Sequence, residues 1–145
     1  MHNMKRFILL IMLLMPLGGI AQEISFDSIM SEYSSKEGCT TMRIGKGIFN
    51  SMEIKIDADS MSIISVEDST LIPQFKAQIA TLVAPMEVLM SVNYGIDSVD
   101  VYQRSSDGQV KELLIVTNKD NVSAAIYIIG TNLEVNQINS IINIF

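Results

Sequence analysis

Apolar positions along this chain change period several times, and each change marks an element. Phe26, Ile29, Met30 and Tyr33 recur with the spacing of one helical face. They predict a helix over residues 25–37, with Ser25 capping its start and Gly38 in the left-handed position after its end. Residues 39–44 read as a strand. Ile48, Phe49 and Met52 mark a short helix over 46–52, weakened by Gly45 and Gly47. Residues 53–59 are ambiguous: Ile54 and Ile56 alternate with charges, but the segment runs into Asp57-Ala58-Asp59-Ser60, which reads as a turn.

From residue 61 to 66 the pattern is a strand, carried by Ile63, Ile64 and Val66. Glu67-Asp68-Ser69 ends it and offers a helix cap. Ile72, Phe75, Ile79 and Leu82 then share one helical face, with Pro73 in the first turn and Pro85 barring continuation beyond about residue 83. The remainder is rich in strands, over residues 86–93, 98–105, 110–117 and 122–129. Tyr94-Gly95 and Asp107-Gly108 supply turn and hairpin signals. Leu113-Leu114-Ile115-Val116 and Ile126-Tyr127-Ile128-Ile129 are near-continuous apolar runs, the mark of central strands covered on both faces. Thr131 and Glu134 form a capping box for a last helix that starts at Leu133, with Ile138, Ile141 and Ile142 on its apolar face. The expected fold class is α+β: a mostly antiparallel sheet, with a meander over about residues 86–130, and two or three helices packed on it.

The N-terminus follows a different logic. Lys5 and Arg6 precede residues 7–20, which carry no charge, and Gly19-Ile20-Ala21 places small residues where a signal peptidase reads them. As a helix, that apolar stretch would span roughly 21 Å, short of the roughly 30 Å of a bilayer core. Residues 1–21 are therefore expected to be a cleaved secretory leader, and residues 22–145 a single domain with no stable membrane span. The cleavage site has no cysteine to carry a lipid. The expected location is the periplasm or the exterior.

Loss of the leader changes the chemistry available. The one histidine, His2, goes with it, so a Ser–His or Cys–His nucleophile and the usual zinc sets are not expected in the mature chain. The formal net charge of −6 becomes more negative once Lys5 and Arg6 are gone, which argues against nucleic acid and anionic lipid as partners. The single cysteine, Cys39, cannot close an internal disulfide. It is expected to pack as a small apolar residue, with Lys36 and Arg43 as the nearest candidates to stabilise a thiolate.

Carboxylates are what remains for acid–base work. Glu67-Asp68 and Asp97-x-x-Asp100 are the candidate clusters for a carboxylate-dependent glycan hydrolase, which needs two acids facing one cleft. Both lie at element edges, where acids ordinarily cap and solvate. Asp57-x-Asp59 begins like a calcium loop, but Met61 and Ile63 stand where oxygen ligands would be needed. No catalytic, cofactor-binding or metal-binding residue is assigned, and no cofactor is expected.

Asp-Ser followed by an apolar residue or threonine occurs at Ser28, Ser60, Ser69 and Ser98. The triplet resembles an acceptor for O-linked glycans on exported bacterial proteins, and Ser60 and Ser98 are the expected acceptors. Asn121-Val122-Ser123 matches an N-glycosylation acceptor.

Several stretches together resemble a known family. They are Tyr33-Ser34-Ser35-Lys36-Glu37-Gly38, Ile44-Gly45-Lys46-Gly47-Ile48-Phe49-Asn50, Ser65-Val66-Glu67-Asp68, Ser106-Asp107-Gly108-Gln109-Val110-Lys111-Glu112-Leu113-Leu114 and Ile129-Gly130-Thr131-Asn132-Leu133. The chain resembles domain of unknown function 4252 over roughly residues 26–142. The resemblance implies a small exported protein or lipoprotein of a Gram-negative envelope, and it transfers no activity and no functional residue. The function expected is that of an exported, noncatalytic envelope domain that binds a protein or ligand. The alternatives are the glycan hydrolase above and a regulatory component of an envelope stress system.

Overall fold

The computed structural model describes residues 24–51, 57–134, 136 and 138. The expected leader lies outside the described residues, as do most of the expected C-terminal helix and the segment 52–56.

Among the described residues, three helices and six strands follow in the order α1 (Phe26–Tyr33), β1 (Cys39–Gly45), α2 (Lys46–Ser51), β2 (Ala58–Val66), α3 (Ile72–Val83), β3 (Glu87–Tyr94), β4 (Asp97–Ser106), β5 (Gln109–Lys119) and β6 (Val122–Gly130). The strands form one sheet in the order β1-β2-β6-β5-β4-β3 with every neighbouring pair antiparallel. Strands β3 to β6 are neighbours in chain order, but the sheet as a whole is not a meander. β2 pairs with β6, so the chain leaves the middle of the sheet through α3 and re-enters at the far edge as β3. The near-continuous apolar runs of β5 and β6 explain the placement: only an interior strand with both faces covered can bury them.

Alternation sends successive residues to opposite faces. One face carries Met61, Ile63, Leu113, Ile115, Ile126 and Ile128 under Phe49 of α2, with Leu133 and Ile138 in the same cluster. The other carries Ile64, Val66, Leu114, Val116 and Ala125 under Phe26, Ile29 and Tyr33 of α1 and Phe75 and Ile79 of α3. Each of these fully buried large side chains contributes about 1.5–3 kcal/mol of transfer free energy. The Tyr33 and Phe75 rings meet edge to face at 5.3 Å, which ties α1 to α3.

Helix α1 starts as expected, on Ser25, whose hydroxyl accepts from the Ser28 N–H at 3.1 Å while Ser28 Oγ accepts from the Ser25 N–H. It ends at Tyr33, short of the expected residue 37. The Lys36 N–H bonds the Tyr33 carbonyl, and the chain turns through Gly38 at φ +76° to enter β1. Gly38 is required there twice over: its φ is left-handed, and a Cβ would stand 2.9 Å from Asp68 Cβ.

The turn expected over residues 57–60 is instead the start of β2, with an irregular register between Ala58 and Ser60. A bulge absorbs the extra residue and leaves Asp59 exposed, so polar turn residues are accommodated inside a strand. Asp68 does not cap α3 either. Its carboxylate accepts from the N–H and hydroxyl of Thr70 at 2.9 and 2.7 Å, closing a turn ahead of the helix. The N-cap is Leu71, which has no side-chain bond to offer.

Candidate functional site

Near the β5–β6 turn each face of the sheet bears a depression. Asp120 and Asn121 hold φ +54° and +63° there, a left-handed pair that suits Asp and Asn and makes a two-residue hairpin turn. On the α2 face a groove of about 460 Å³ runs over β2, β6 and β5. Its floor is Ile63, Ala124 and Ile126, and its margin carries Ser65, Thr117 and Lys119. On the α3 face a smaller cavity of about 150 Å³ lies against the first turns of α3, bordered by the β3–β4 and β5–β6 turns. Lys119 and Val122 border both.

The smaller cavity is built by alternation and register. Asn118 on β5 pairs with Ser123 on β6 and with Ser98 on β4. All three turn toward the α3 face, where Ile72 and Lys76 stand above them. Asn118 Nδ2 donates to Ser98 Oγ at 3.2 Å. Ser123 is fully buried, and its Oγ has no hydrogen-bond partner among the described residues. The Asp97 carboxylate at the margin accepts from the Asp120 N–H at 3.4 Å.

A second polar cluster crosses the same face beyond α1. Arg43, Ser62, Tyr127, Leu114 and Tyr102 stand in register across five strands. Arg43 Nε donates to Ser62 Oγ at 3.2 Å, and its Nη2 donates to Asp27 Oδ1 at 2.5 Å. The Tyr127 hydroxyl donates to Glu112 Oε1, whose other oxygen pairs with Arg104 Nε at 3.0 Å. Burial, then the Glu112 carboxylate, pushes the Tyr127 phenol well above its ordinary range. The Phe26 ring stacks on Tyr127 at 5.0 Å. These groups satisfy one another, so the cluster fastens α1 and β6 in place.

The carboxylate clusters weighed from the sequence do different work. Asp97, at the start of β4, is turned to the β5–β6 turn, where it accepts from the Asp120 N–H. Asp100 Oδ1 accepts from Ser91 Oγ at 2.5 Å. Asp68 is held below its usual carboxyl range by its bonds to Thr70, the signature of a turn-closing group. Among the described residues no three His, Cys, Asp or Glu side chains gather as a metal set.

Cys39 is half-buried at the start of β1 and packs against the α1–α3 cluster. Burial pushes its thiol up, the Asp68 charge adds to this, and the nearby Lys36 only partly offsets both. Ser60 and Ser98 both lie inside strands and are half-buried, Ser60 between β1 and β6 and Ser98 under Asn118. Of the four triplets, Ser69 is the one in an exposed turn, while the Ser28 hydroxyl is spent in the helix cap. Sequence reading missed Lys76 and Ser123 as neighbours. Their only linear signal was the polar Asn118-Lys119-Asp120-Asn121 block between two apolar runs.

The family model for the domain of unknown function (DUF4252) matches residues 33–141. The fold is thus an α+β domain with an antiparallel sheet, and the chain belongs to that family. No curated protein and no solved structure matches it. Among the described residues no helix is long and apolar enough to cross a membrane.

Proposed function

We propose that this chain is an exported, noncatalytic envelope domain that binds a partner molecule at the end of the sheet around the β5–β6 turn. One observation carries the reading: two concavities, on opposite faces, share a border at Lys119 and Val122. The turn between these two residues is short, and its Asp120 N–H is bonded to Asp97. Apolar floors with a few polar groups at the margin are the usual composition of a binding site. Asp68, Asp97 and Asp100 are each taken up by a neighbouring donor, Thr70, the Asp120 N–H and Ser91, which favours binding over chemistry.

Export rests on the leader-like residues 1–21, and sequencing the N-terminus of envelope-purified protein tests it. Gln22 at the front is the expected result; Met1 retained would defeat it. Binding is tested by placing a photo-crosslinking residue at Asn121 or, at the opposite end of β5, at Asp107. A discrete adduct from position 121 that Lys119→Glu abolishes, with none from 107, is expected. Equal labelling from both ends would remove the site from consideration.

A further inference from the structure

We infer that the cavity against the first turns of α3 is a subsite for a small organic anion, a carboxylate bearing a short apolar group. This rests on the binding reading above and names the chemistry that one half of the site would take.

Charge sets the sign. Lys76 and Lys119 both border the cavity, in a chain that holds only ten basic residues against sixteen acidic ones. Asp97 is the opposing charge, and its carboxylate is already turned to the Asp120 N–H. Two lysines against one aspartate leave the cavity border with one net positive charge. It also lies at the N-terminal end of α3, a twelve-residue helix whose dipole favours an anion there.

A second and independent observation points into the same space. Ser123 is 0 % exposed, and its hydroxyl is the one buried side-chain oxygen among the described residues with no partner. Alternation along β6 turns it toward α3, between Asn118 and Ile72. Buried hydroxyls are almost always paired, so one that borders a cavity implies an occupant able to accept or donate. Asn118 contributes a further amide, one of whose two hydrogens is used on Ser98.

Size and the apolar border choose the class of anion. The cavity, about 150 Å³ and open on one side, has room for an acid of a few carbons. Ile72 and Val122 border it, and Ile96, 89 % exposed at the tip of the β3–β4 turn, stands at the mouth. An inorganic ion would leave these side chains unused. A short aliphatic carboxylate places its charge between the lysines and its chain against the isoleucines.

The test is residue-resolved NMR of the processed chain titrated with butyrate, and separately with inorganic phosphate. Butyrate is expected to give saturable shifts confined to Ile72, Lys76 and the Asn118–Ser123 segment, with phosphate about tenfold weaker. The double variant K76Q/K119Q, both sites being exposed, is expected to weaken butyrate at least tenfold with an unchanged circular dichroism spectrum. Ser123→Ala should weaken it about threefold and leave the thermal midpoint no lower. Shifts that do not saturate, phosphate equal to butyrate, or a double variant that binds like the parent would each overturn the assignment. A Ser123→Ala chain with unaltered butyrate affinity would show that water satisfies the hydroxyl and remove the second argument. Should butyrate fail while the position-121 adduct persists, the carboxylate class falls and the wider binding reading stands; loss of the adduct as well sinks both.

Discussion

Replacing Tyr33 with Phe offers a sharp check on how α1 is held to α3, because one substitution acts differently at neutral and alkaline pH. The Tyr33 ring is 0 % exposed and meets Phe75 edge to face, and its hydroxyl donates to Gln78 Oε1 at 2.6 Å. Gln78 in turn donates to Glu32 at 3.0 Å. The Phe variant keeps the ring contact and loses the hydroxyl bond, a loss of about 1 kcal/mol at neutral pH. The same burial, with the Glu32 and Cys39 charges adding to it, pushes the phenol from 10.0 up to about 12. A folded value raised above the unfolded one stabilises the protein fully below the unfolded pKa, and that contribution is lost as pH rises through the folded value. Two pKa steps correspond to about 3 kcal/mol.

The parent should therefore lose its neutral-pH advantage as pH climbs from 10 toward about 12, and the two stability curves should cross near pH 11, roughly where the linkage loss exceeds the hydrogen bond. Tyr102 and Tyr127, also pushed up, titrate in both proteins and cancel in the difference. Urea unfolding followed by circular dichroism measures this directly, since the chain has no tryptophan to report by fluorescence. Parallel curves from pH 7 to 12 would refute the argument: Tyr33 would then not be the buried, hydrogen-bonded clamp described.

Other consequences are as specific. Gly130→Ala would set a Cβ 2.7 Å from the Asp57 carbonyl and 2.5 Å from Leu133 Cδ2, so it should destabilise by about 1–3 kcal/mol in thermal or urea unfolding. Asp68→Ala removes a carboxylate whose folded pKa is depressed, so the stability gap between parent and variant should exist above about pH 4 and close as pH falls further. The raised Cys39 thiol should react with a thiol reagent more slowly at pH 7.5 than a free peptide cysteine, with the rate recovering on addition of urea. Intact-mass analysis of protein from its native host decides the acceptor proposal for Ser60 and Ser98, since a mass equal to residues 22–145 alone would end it.

Much of the fold was legible along the chain because local chemistry forced it. The 3.6-residue stripe from Phe26 to Tyr33 has no other way to bury its rings, and Asp107-Gly108 accepts the left-handed turn that joins β4 to β5. The apolar runs at 113–116 and 126–129 demanded interior strands, and β5 and β6 are interior. Where the linear reading failed, at residues 57–60 and at the end of α1, the cause was competition from outside the segment. β6 offered ladder partners that pulled Asp59 and Ser60 into a strand, and the approach of Asp68 to Gly38 determined where the chain had to turn.

The amino-acid order alone determined the α+β class and the two-sided burial of β5 and β6. Periodicity and composition are local quantities, and these conclusions need nothing else. Only the tertiary structure decided that β2 lies beside β6, that Lys76 and Lys119 border one cavity with a buried, unpartnered Ser123, and that Asp97 and Asp100 are taken up by separate partners, the Asp120 N–H and Ser91. Those facts depend on strand order and register, which are chosen by the fit of whole faces against one another and leave no mark on any single stretch of chain.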